Sequence, residues 1–204
     1  MIPLPSRSDP YRIVGIDNGT INMGLCVMDL DLATYKPCLI DAHTVNAQAL
    51  SEDHGVIEQT HTALYARLRA LEDYLIRYYN RFKPDAVVSE SPFSHLNIRT
   101  YGDLTKALYV ARRAIYEYDE TVRFYKIAPQ EGKKAVGAKD YKDKNSTRCA
   151  ILKLIEQGEI TNHTVDIEAL GHDAVDAISV GYAHCHRVAT IVSLCRGFPL
   201  VGRH

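Results

Sequence analysis

No stretch of the 204-residue sequence approaches the ~20 consecutive apolar residues of a membrane-spanning helix, and the opening MIPLPSRSDP lacks the apolar core of a secretory signal. The expectation is a soluble protein inside a cell. Cysteine is sparse and unpatterned: Cys26, Cys38, Cys149, Cys185 and Cys195 form an odd set without CxxC spacing, which argues against a disulfide framework and against a zinc ribbon. There is no internal repeat and no low-complexity tract. Apolar residues are spread evenly, so residues 1–204 are expected to form a single domain with its core at about 12–187. Neither sign of charge dominates, since the formal net charge is −1, and that total argues neither for nor against nucleic acid.

The distribution of charge says more than its sum. Residues 121–153 carry nine basic side chains against three acidic ones, leaving the rest of the chain acidic. A run of this kind is commonly a solvated helix face. A basic band set against an acidic site is also what a nuclease needs, because phosphate contacts supply most nonspecific affinity while carboxylates hold cations. Within the band, Lys133, Lys134, Lys139, Lys142 and Arg148 are the candidate phosphate contacts.

Hydrophobic periodicity predicts an α/β fold with a five-stranded mixed sheet flanked by helices. Ile13, Val14 and Ile16 read as a buried strand, GLCVMDLDL and YKPCLIDAHTV as two further strands of an antiparallel meander, and DAVVSES and VRFYKIA as the fourth and fifth. Between them, Ile57, Leu64, Leu68, Leu71, Leu75, Tyr78 and Phe82 form a helical stripe that stops at Lys83-Pro84. A second stripe, Leu104, Leu108, Ala111, Ile115 and Tyr118, covers a sheet or pairs with another copy. Further helices are expected near Thr147–Glu156 and His172–Arg187. The adjacent His184, Cys185 and His186 point apart on that last helix and are expected to pack rather than to bind metal.

Four acids stand out against this frame. Asp17 ends the first strand in IVGIDNGTINMG, and Glu90 ends the fourth in VVSESPF, where Pro92 blocks continuation. Asp173 and Asp176 in HDAVDAISVGY are three apart on a helix and share a face. Asx-turn bonding accounts for Asp17 alone, and dipole or capping effects account for one of the helical pair. If all four converge, close carboxylates without cations would be strongly destabilising or protonated. Four oxygen donors suit magnesium or manganese, and two such ions form the arrangement for in-line attack of water on a phosphodiester.

The order GIDNGTINMG, VVSESPF, KKAVGAKDYKDKNST and HDAVDAISVGYAHCH resembles the RuvC family of Holliday-junction resolvases over roughly Arg12 to His186. That resemblance implies a ribonuclease-H-like fold and a two-fold dimer that nicks four-way junction DNA symmetrically to leave ligatable ends. It further implies Asp17, Glu90, Asp173 and Asp176 as ligands of two magnesium ions, with manganese as an alternative, and no nucleotide cofactor. An aromatic wedge at the junction centre falls on Phe93, and a catalytic lysine falls on Lys144, or on Lys142 if the loop is aligned otherwise. Asn18 stands where bacterial relatives usually have proline, and the loop at 140–144 looks longer. These departures suggest a divergent branch, phage-encoded or bacterial, working in the cytoplasm.

Three other readings share some of these features. GIDNGT also resembles the first phosphate loop of the actin and sugar-kinase ATP-binding superfamily, but those proteins need two lobes and no second glycine-rich phosphate loop is present. A DNA-binding scaffold without catalysis would be expected to lack one of the acids. Another ribonuclease-H-like nuclease, acting on branched DNA or hybrids, shares every residue named.

Overall fold

The structure, a computed structural model, describes residues 10–92, 97–140 and 143–195. Its centre is a sheet in which β1 (Tyr11–Asp17), β2 (Asn22–Leu30) and β3 (Pro37–Asn46) run antiparallel in sequence. β4 (Ala86–Glu90) lies parallel to β1, and β5 (Arg123–Ile127) parallel to β4. The order is β5-β4-β1-β2-β3-β6, where β6 is the two-residue strand Thr161–Asn162 added to the far edge. Among the described residues the sheet thus has six strands where five were expected. Two residues are too few to show an alternating pattern, and pairing with Cys38 and Leu39 creates β6.

Successive side chains of a strand face opposite sides, which divides the core in two. Val14, Ile16, Leu25, Val27 and Val87 face α3 (Ala63–Phe82) and α4 (Ile98–Tyr118). Ile13, Cys26, Met28 and Val88 face the layer that contains α5 (Pro129–Ala135), α6 (Lys144–Glu156) and α7 (His172–Cys195). No helix among the described residues is long and apolar enough to cross a membrane.

The long stripe from Ile57 is broken into α2 (Gly55–Thr60) and α3, because the Thr62 side chain accepts from the Tyr65 amide and starts a new helix. Short α1 (Ala47–Leu50) and a 3-10 turn at Ser51–His54 precede it. As expected, α3 ends before Pro84, with Lys83 in the left-handed region at φ 50°. The C-terminal half of the stripe on α4 packs into the protein's own core, where Ala111 and Ile115 are buried in the cluster with β1 and α3, while Leu104 and Leu108 are half-buried. The exposed aromatics of α4 are Tyr101, Tyr109 and Tyr116. Helix α7 runs on past Arg187, burying Val188 and Val192.

Candidate active site

Two parallel neighbours, β1 and β4, are in register at Ile16 and Ser89, so the next residues, Asp17 and Glu90, emerge side by side at the same sheet end. Asn18 ties these ends together. Its amide nitrogen donates to Ser89 Oγ and to the Glu90 carbonyl, both at 2.6 Å, while its amide oxygen is buried without a protein partner. Asn18 is therefore a clamp between the strands that carry the first two acids.

The other two acids arrive because a strand and a helix touch without side chains between them. Asp17 pairs across the ladder with Gly24, and a Cβ on Gly24 would lie 1.9 Å from the backbone oxygen of Asp173. Only glycine lets the first turn of α7 rest on β2 beside Asp17. Asp176, one turn on, then joins the same surface. Helix α5 is pressed against α7 in the same way, since a Cβ on Gly132 would lie 2.9 Å from Ser179 Oγ. Arg187 reinforces this contact through Glu131. The residue after Gly132, Lys133, thereby comes to 3.8 Å from Asp176 Oδ2.

The electrostatics follow from this crowding. Burial first, then the charges of Glu90, Asp176 and Asp173, push the Asp17 carboxyl well above the ordinary carboxylate range. Burial and Asp176 push Glu90 up to about 7. Lys133 opposes both shifts. The four acids singled out in the sequence thus form one electrostatic unit.

Among the described residues, no group of three or more histidine, cysteine, aspartate or glutamate side chains is placed closely enough to hold a metal ion as it stands. The set nevertheless fits a hard divalent cation. Every donor is a carboxylate oxygen, the donors repel one another, and the deepest is driven toward its neutral form by burial first and then by the other three. Mutual repulsion opposes a closed cage, and a divalent charge is what would draw the four together.

The basic residues divide. Lys134 and Lys139 are exposed, whereas Lys133 belongs to the acid cluster and the Arg148 guanidinium donates to the carbonyls of Glu168 and Leu170. Lys144 opens α6 behind the Asp143 cap. Its side chain, Lys142 and Phe93 lie outside the described residues. Neither the Asn18 clamp nor the place of Lys133 was read from the sequence. The departure from proline was the signal for the first, and for the second there was only membership of the basic band. His184 and Cys185 are packed as expected, with the His184 ring tilted against Tyr125 at 4.4 Å between ring centres, whereas His186 faces outward and is exposed.

The family model for crossover junction endodeoxyribonuclease RuvC matches residues 13–186, which includes all four acids and Lys133. The chain belongs to the RuvC family. RuvC of Frankia alni is 28% identical over 92% of this chain and 84% of its own length. RuvC of Frankia casuarinae is 30% identical over 86% of this chain and 90% of its own. Among solved structures, Thermus thermophilus RuvC in complex with Holliday junction substrate has a TM-score of 0.60 at 18% identity, covering 92% of this chain and 96% of that one. The fowlpox virus Holliday junction resolvase has 0.55 at 12% identity, over 86% of this chain and 99% of that one. At such identities the likeness speaks for the fold, which is the ribonuclease-H-like one of the RuvC resolvases.

Proposed function

We propose that this RuvC-family chain is an endodeoxyribonuclease that resolves four-way DNA junctions by hydrolysing phosphodiester bonds with symmetric nicks. The observation that carries the reading is the convergence of Asp17, Glu90, Asp173 and Asp176 from three separate segments into one repelling cluster. RuvC nucleases depend on a divalent metal, and the finer reading is two magnesium ions per site, with manganese as a substitute. Asp17, Glu90, Asp173 and Asp176 would hold them. The chemistry the ions would supply there is polarisation of a scissile phosphate and activation of water for hydrolysis of the phosphodiester.

The protein's own groups have separable tasks in this reading. Asn18 holds Asp17 and Glu90 in register. Lys133 favours the ionised forms of both acids and offsets part of their upward shifts. Exposed Lys134 and Lys139 suit phosphate contacts that position the substrate without reading its sequence. By family resemblance, Phe93 wedges the junction centre, and Lys144, or else Lys142, assists departure of the leaving oxygen.

The reading includes a two-fold homodimer, the commonest closed assembly, working in the cytoplasm of a bacterium or phage-infected cell. It requires no nucleotide cofactor. The purified chain, given a synthetic mobile four-way junction, a matched duplex, a flap and an RNA–DNA hybrid with each metal, should cleave the junction at paired symmetric positions. Preferential cleavage of the hybrid or flap would replace this reading with that of another ribonuclease-H-like nuclease.

A further inference from the structure

Arg148 lies on α6, in the basic band, yet its guanidinium is turned to protein. One terminal nitrogen donates to the Glu168 carbonyl at 3.0 Å and the other to the Leu170 carbonyl. Those carbonyls belong to the turn that delivers the chain to α7, just ahead of Gly171, His172 and Asp173. The turn is shaped by Asp166, whose side chain accepts from the amides of Glu168 and Ala169 at 3.1 and 3.3 Å. Helix formation then begins with the Val175 amide bonding to the Gly171 carbonyl. A planar guanidinium is suited to spanning two carbonyls, because its donors are held in a fixed fork.

The other side of the same turn is already fixed by close contact. Gly24 of β2 meets the Asp173 backbone, and a Cβ on Gly171 would come within 3.1 Å of Thr44 Oγ1 on β3. The sheet therefore sets how near α7 comes, while Arg148 sets the turn from the α6 side. Helix α6 is itself a firm support, since Thr147 and Ile151 are buried. Its first turn also holds the basic loop, because Ser146 Oγ accepts from the amides of Lys139 and Asp140, each at 3.1 Å.

We infer that Arg148 is a positioning residue for the cation site: by bridging Glu168 and Leu170 to α6, it fixes where the first turn of α7 presents Asp173 and Asp176. This rests on the reading that those aspartates hold divalent cations. The arginine's role is then to set metal affinity, and phosphate binding is not its task.

The test is Mn2+ binding to the full-length protein without DNA, followed by calorimetry, for wild type, Arg148→Met, Arg148→Lys and Asp173→Asn. Metal-free junction binding is measured in parallel as a function of salt. Met retains the aliphatic bulk and removes both donors, so the Mn2+ concentration for half-saturation should rise at least fivefold. Metal-free junction affinity should stay within twofold of wild type. Lys, with a donor for one carbonyl, should fall between. An unchanged Mn2+ half-saturation in Arg148→Met overturns the inference whatever the melting temperature does. So does a fall in metal-free junction affinity with a reduced salt slope, which would return the arginine to the DNA backbone. If Asp173→Asn also leaves Mn2+ binding unchanged, the cation-site reading itself has failed. If Asp173→Asn weakens binding and Arg148→Met does not, only the role of Arg148 has failed.

Discussion

Gly24 and Asp173 are packed so closely that a Cβ on the glycine would lie 1.9 Å from the aspartate's backbone oxygen. The obstacle is backbone, so no side-chain rotation relieves it. Gly24→Ala should therefore cost about 3 kcal/mol or more, at the upper end of overpacking effects. It should also push the first turn of α7 off the sheet. Urea unfolding checks the stability loss, and Mn2+ titration of the folded fraction should show binding weakened at least tenfold.

Lys133 stands 3.8 Å from Asp176 Oδ2 and lowers the proton affinity of both Asp17 and Glu90. Lys133→Ala should shift the acid limb of the cleavage pH profile to higher pH, and Lys133→Arg should restore part of that shift. Lys134→Ala, at an exposed site, should weaken binding to all junction sequences alike, lower the salt slope by ~1 and leave the pH profile in place. Single-turnover rates across pH on these variants separate the two roles.

Glu90 has its folded-state carboxyl raised from 4.5 to about 7. Between these values the folded protein binds more protons than the unfolded chain, so this group's contribution to metal-free stability falls as pH rises. Divalent ions require the ionised form, so their binding should tighten from about pH 6 to about pH 8. The thermal shift produced by Mn2+ should grow over that interval, and Glu90→Gln should reduce the growth, with the titration of Asp17 left to supply the rest.

His184 has the opposite sign. Burial, aided by Arg187, lowers its imidazole from 6.5 to about 4, so below 6.5 the unfolded chain takes up a proton that the folded one refuses. Stability contributed by this group is complete above that value and is lost as pH falls toward about 4, by at most about 1.4 kcal/mol per pH unit. His184→Phe keeps an aromatic ring against Tyr125 and should flatten the acid limb of chemical denaturation between these pH values.

Much of this arrangement was legible before any coordinates, and the parts that were not have physical reasons. Asp17 and Glu90 could be found because a charge at the end of an apolar run is conspicuous, and Asp173 with Asp176 because three-residue spacing shares a helical face. The place of Lys133 beside Asp176 was hidden because it depends on Gly132 lying against Ser179, a contact between helices far apart in sequence. Arg148 reads in sequence as one of the phosphate contacts of the basic band, and nothing local indicates that its partners are carbonyls some twenty positions on. β6 exists only through its pairing with β3. The break between α2 and α3 was hidden because the apolar stripe keeps its spacing through the Thr62 cap.

The central claim is that the four acids serve the chemical step through divalent cations and contribute little to holding DNA. It is tested most directly by single-turnover cleavage of a mobile four-way junction at saturating protein, for wild type and Asp17→Asn, alongside metal-free junction affinity. The account predicts that Asp17→Asn retains less than about a tenth of the wild-type rate while its affinity stays within severalfold, because bound cations act on the transition state more than on docking. An Asp17→Asn protein cleaving at more than a tenth of the wild-type rate would contradict it.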